Sequence, residues 1–171
     1  MVKFYTATDT MHTIAPLDSI SYEYKKSDIP FNDDHVYGIN IYVQEPPEPN
    51  QYYQWEMYFD GVHQTDTVNT KRFESDEIVN GTYFKGWTVF EIEEDKIDKE
   101  EVEVTLQMLS ISEKKFDFLL AIILETDFSG TMFSGPPSNI PGNVSNGALG
   151  FFSASAVTEK TILIKKVGKV P

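Results

Sequence analysis

The stretch YYQWEMYFDG, residues 52–61, decides the fold class. Tyr53, Trp55, Met57 and Phe59 fall on one parity, and Tyr52, Gln54, Glu56, Tyr58 and Asp60 on the other. A period of two is the mark of a strand with one face buried. Asp60-Gly61 then predicts a hairpin turn, because both residue types tolerate positive φ. The same alternation recurs at Ile20, Tyr22 and Tyr24, at Tyr37, Ile39, Ile41 and Val43, and at Val102, Val104, Leu106 and Met108. Gly86–Phe90 reads as a further strand, after a turn at Asn80-Gly81. Pro-rich Glu45–Asn50 cannot continue a central strand, because proline has no amide to donate.

One segment breaks the alternation. Phe116, Leu119, Leu120, Ile123 and Leu124 recur at helical spacing. The spacing predicts a helix over about 112–126, capped by Ser110 with Glu113 or by Ser112. Its wide apolar stripe predicts cover over much of its girth. The charged run Glu91–Glu101 reads as an exposed connection. After a turn-rich stretch come expected strands near Gly150–Val157 and Thr161–Lys166. In the first of these, Gly150, Ala154 and Ala156 would leave room for a close neighbour, with Leu149, Phe151 and Val157 in the core. The sum is a mainly β protein: an immunoglobulin-like or related antiparallel β-sandwich with one inserted helix. Val2–Thr8 reads as a separate short strand, and residues 1–15 as that strand plus a linker to the main body. Residues 16–171 then form the sandwich.

Composition narrows function. The chain has 171 residues, 27 acidic and 14 basic, for a net charge of −13. So acidic a chain is a poor partner for phosphate backbones, so no nucleic acid is expected. There is no cysteine, which removes disulfides, thiolate metal sites and a thiol nucleophile. No apolar run reaches the roughly 20 residues that a spanning helix needs. The amino terminus shows neither a hydrophobic signal core nor a lipid-accepting cysteine. His12, His35 and His63 are far apart and form no zinc spacing. Asn32-Asp33-Asp34-His35 reads as a solvated loop, and no Gly-x-Ser-x-Gly elbow occurs. No catalytic residue, cofactor or metal is therefore expected. Tyr52, Tyr58, Tyr83, Trp87 and Phe90 are candidates for stacking on sugars. Tyr52 and Tyr58 are the best placed, because they lie on the polar face of their strand.

The carboxy-terminal stretch carries a resemblance. Phe133, Pro136-Pro137, Asn139 and NVSNGALGFFSASAV, with Asn146, Gly147, Gly150 and Phe151, resemble the signature of the Bacteroidetes envelope lipoproteins catalogued as domain of unknown function 4249. PLDSISYEY, NQYYQWEMYFDGV and DKEEVEVTLQMLSISEKKFDFL resemble further parts of that family in the same order. The resemblance covers roughly residues 1–165. It implies the carboxy-terminal domain of a longer outer-membrane lipoprotein, without the signal peptide, lipidated cysteine and amino-terminal immunoglobulin-like domain of full members. It further implies a non-enzymatic interaction domain at the cell envelope, accessory to a TonB-dependent receptor. The alternative is a glycan-binding module of a surface nutrient-acquisition system. The family lends no catalytic residue.

Overall fold

The computed structural model describes residues 2–77, 80–128 and 140–167. Strands β1 (Ser19–Lys26), β2 (His35–Gln44) and β6 (Tyr83–Glu93) form a three-stranded antiparallel sheet in the order β1-β2-β6. Strands β3 (Tyr52–Phe59), β4 (Val62–His63), β7 (Glu101–Ile111) and β8 (Val157–Lys165) form the second, in the order β4-β3-β7-β8. β5 (Arg72–Ser75) pairs with the first half of β3. The antiparallel sheets pack face to face as a β-sandwich. Among the described residues a single α-helix, α1 (Glu113–Phe128), is inserted between β7 and β8.

Alternation builds the core. Tyr37, Ile39, Ile41 and Val43 of β2 face Tyr53, Trp55 and Met57 of β3 and Val102, Val104, Leu106 and Met108 of β7. All are buried in one apolar cluster. Burial of such side chains contributes roughly 1.5–3 kcal/mol each. The turn after β3 is as expected: Asp60 has φ 46° and Gly61 φ 79°. Two glycyl-type φ values in succession match the twist of a tight hairpin.

Ser112 caps α1. Its Oγ accepts the Lys115 amide at 3.2 Å. Ser110 instead stays in β7 and ties two distant segments. Its hydroxyl donates to the His12 carbonyl at 2.7 Å and accepts the Ala156 amide at 3.1 Å. Cover over the helix is thinner than its stripe predicts. Leu119 is buried, but Leu120 and Leu124 are exposed. The Glu91–Glu101 run is not merely an exposed connection either. Glu91–Glu93 finish β6, and Ile97 is buried in the core.

Two expected strands are absent, for one reason. Val2–Thr8 forms no strand and makes a single antiparallel bridge, Ala7 to Val144. Residues 150–156 precede β8 without joining a ladder. Their alternate amides are taken by side chains: Phe152 N–H by Asn143 Oδ1 (2.8 Å), Ala154 N–H by Asp9 Oδ2 (3.0 Å) and Ala156 N–H by Ser110 Oγ (3.1 Å). Short polar side chains compete with ladders in this way. Gly150 meets Gly142, where an added Cβ would come within 1.9 Å of the Gly150 carbonyl oxygen. Leu149 and Val157 are exposed, not core. Phe151 lies on α1, with its ring centroid 5.2 Å from that of Phe118. The turn at Asn146 (φ 59°) and Gly147 (φ 71°) forms as expected. Phe133, Pro136, Pro137 and Asn139 lie outside the described residues.

Residues 143–156 thus act as a strap that holds the amino-terminal segment. Asn143 Nδ2 donates to the Thr8 and Phe152 carbonyls at 2.9 and 2.7 Å, and Asn146 Nδ2 to the Phe4 carbonyl at 2.6 Å. The Thr6 amide donates to Ser145 Oγ at 2.8 Å. Asn143→Ala removes three of these bonds. Amide hydrogen exchange at Thr6 and Phe152 should then speed up by about tenfold or more, with β7 amides unchanged. Unaltered protection at both would show that Asn143 does not hold the strap.

Candidate functional site

The expected sugar-stacking tyrosines have neighbours on their rings. Tyr52 packs against Phe116 of α1, with centroids 5.0 Å apart, and Tyr58 stacks on His63 at 4.7 Å. Both are half-buried. Between them, Glu56 gathers a polar knot. It accepts from Gln54 Nε2 at 2.7 Å and from the Tyr58 hydroxyl at 3.0 Å, and it lies 3.9 Å from Lys71 Nζ. The outer face of β3 is therefore knitted together and is not a row of free rings. Tyr83 is exposed at the start of β6, while Phe90 is partly buried against the core. The histidines remain apart. Among the described residues, no group of three or more His, Cys, Asp or Glu side chains could hold a metal ion.

A different site lies inside the sandwich. At one end the sheets part around a cavity of about 200 Å³, walled by Trp55, Trp87, Phe84, Tyr53, Glu45 and Asp76. Strand parity puts the charges there. Glu45 follows Tyr37, Ile39, Ile41 and Val43 on the same parity, one residue past β2. In β5, Arg72 lies opposite Trp55 and Glu74 opposite Tyr53. Paired residues share a face, so β5 turns Arg72 and Glu74 inward. Asp76 falls on the same parity, and its amide extends the pairing to the Gln51 carbonyl at 3.1 Å. The intervening Phe73 points outward and meets Phe116.

The electrostatics of the cavity are unbalanced. Asp76 is only 1 % exposed, and among the described residues neither of its side-chain oxygens has a hydrogen-bond partner. The indole N–H of Trp55 is likewise buried without an acceptor. Glu45 is buried and accepts from the Tyr53 hydroxyl at 2.9 Å. Burial pushes the Glu45 carboxyl above its ordinary range and Asp76 adds to the rise, while the Tyr53 hydrogen bond opposes it. The Tyr53 hydroxyl is itself pushed far up by burial and by Glu45. At the rim, Arg72 pairs with Glu74 at 2.8 Å and lies 5.8 Å from the Trp87 ring centroid. The partly exposed Glu74, Ser75, Phe84 and Trp87 open the cavity to solvent.

A larger open groove, about 760 Å³, runs past Asp28, Lys71 and Glu91. Two of its charged groups have partners: Lys71 Nζ donates to the Thr65 carbonyl, and Glu91 accepts from Ser27 Oγ and the Asp28 amide. Sequence reading alone missed Glu45 and Asp76. Glu45 carried a signal, since it continues the inward parity of β2, but the prolines after it mark a loop. Asp76 carried none, because its burial depends on where β5 pairs.

A family described as a domain of unknown function (DUF4249) matches residues 3–161. The chain belongs to this family. Its match extends through the strap, and includes the amino-terminal segment that the strap holds. No curated protein and no solved structure gives a significant match.

The raised Glu45 carboxyl has a consequence for stability. The folded state binds that proton more tightly than the unfolded chain does, so this contribution is present below the ordinary value near 4.5 and is lost as pH rises through the folded value. As pH rises above that ordinary value, the wild type should lose stability relative to Glu45→Gln. Urea unfolding at a series of pH values measures the difference. Parallel pH profiles for the two proteins would contradict the assignment.

Proposed function

We propose that this chain is a non-enzymatic interaction domain of a bacterial cell-envelope lipoprotein at the outer membrane, accessory to a TonB-dependent uptake system. The envelope setting draws on the resemblance of the terminal signature to envelope lipoproteins. The docking reading rests on one observation, the apolar surface at the strap end. Phe4 is 77 % exposed, Leu149 84 % and Phe152 52 %. They sit on two segments laced together by Asn143 and Asn146. Val2 and Tyr5 add to the same segment. Large apolar side chains gathered on one exposed, held surface mark protein contact sites more often than solvent-facing skin. The partner is another envelope protein that covers this end.

The competing reading, a glycan-binding module, now finds its support in the rings around the inter-sheet cavity and less in Tyr52 and Tyr58.

Affinity purification of the tagged protein from its native envelope tests the docking proposal. The wild type should retain an envelope partner, and the triple change Phe4→Ser, Leu149→Ser, Phe152→Ser should reduce recovery by about tenfold or more. Circular dichroism would confirm that the variant is folded. Equal recovery with both proteins, or no envelope partner with either, would refute it.

A further inference from the structure

We infer that the inter-sheet cavity is a binding site for a small organic cation, a primary ammonium or guanidinium group. This goes beyond the docking surface, which lies on different segments.

The argument starts from Asp76. A carboxylate that is 1 % exposed and has no donor on either oxygen among the described residues is among the costliest groups a core can hold. Buried polar atoms in folded proteins are satisfied as a rule, and each exception needs a cause. A bound donor is such a cause. Here Glu45 tightens the demand, since it brings a second acidic group into the same cavity and accepts from the Tyr53 hydroxyl. A cation answers both carboxyl groups at once. A neutral hydroxyl would satisfy the hydrogen bonds but leave the charge uncompensated in a weakly polar surround.

The walls fit the same ligand. Trp55 and Trp87 meet edge to face with centroids 6.3 Å apart, and Phe84 lies 5.4 Å from Trp87. Aromatic faces attract ammonium and guanidinium groups, and indole does so best. The chain supplies its own precedent, because the Arg72 guanidinium already lies over the Trp87 ring. Among the described residues the Trp55 N–H has no acceptor, so a ligand that also carries an oxygen would gain a further hydrogen bond. A bare metal ion fits poorly: no group of three or more acidic or histidine ligands exists among the described residues. The volume of about 200 Å³ is below the roughly 300–1,000 Å³ of larger ligand pockets. It suits one side chain or a small amine. The net charge of −13 favours approach of a cation from solution. Two sources supply this chemistry: a free amine, or a lysine or arginine side chain of a protein.

The readout is built in, because Trp55 and Trp87 are the chain's two tryptophans. Their fluorescence should respond to titration with cadaverine, agmatine and N-acetyl-lysine methylamide. Binding should be about tenfold or more tighter than for 1,5-pentanediol, the neutral counterpart of cadaverine. Asp76→Asn should weaken cation binding by about tenfold or more, and Glu45→Gln should weaken it less, while Glu23→Gln on the exposed face of β1 should leave it unchanged. A preference for the lysine derivative identifies a protein side chain as the source, and a preference for cadaverine or agmatine a free amine. Either preference supports the site. Cations that bind no better than pentanediol, or binding indifferent to both carboxyl changes, would overturn the inference. So would a response to monosaccharides or calcium without one to amines. If Asp76→Asn does not fold, the comparison of cadaverine with pentanediol on the wild type decides.

Discussion

The structure depends on two alternating rows meeting face to face. The β2 row of Tyr37, Ile39, Ile41 and Val43 closes over Trp55 and Met57 of β3 and Val104 and Leu106 of β7. Each strand has period two, so whatever stands at inward parity is carried into the core. For most of the length that rule delivers apolar side chains. At one end it delivers Glu45 and Asp76, with Glu74 at the rim. The cavity is therefore a product of the register that builds the core, and a one-residue slip of β5 would turn Asp76 out to solvent.

The second organising device is hydrogen bonding by short polar side chains. Ser110, Asn143, Asn146 and Asp9 tie the amino-terminal segment, the strap and β7 to one another. These bonds take the place of a sheet ladder. They hold Phe4, Leu149 and Phe152 on display at one end of the molecule. The apolar end and the charged cavity thus arise from different physics: side-chain capping in one case, strand register in the other.

Much of this was legible in residue order. The alternations at 37–43, 53–59 and 102–108 read directly as sandwich strands, because a buried face leaves a strict period. The Asp60-Gly61 turn and the helix after Ser112 were equally plain. The strap was misread as a strand because alternating small and large residues look the same whether amides meet a neighbouring strand or the side chains of Asn143, Asp9 and Ser110. The site was legible only in part. Trp87 was among the candidate residues and does line the cavity, whereas Tyr52 and Tyr58 pack on Phe116 and His63. Asp76 was invisible because its burial is a tertiary fact set by the pairing of β5 with β3.

The central claim is that Asp76 is carried in the core at a cost to the free protein and serves binding. Urea unfolding of Asp76→Asn against wild type near neutral pH tests it without any ligand. Removing an uncompensated buried charge while keeping the shape should leave stability unchanged or raise it by about 1–3 kcal/mol. A loss of about 3 kcal/mol or more would mean that the carboxylate braces the fold, and would contradict the account.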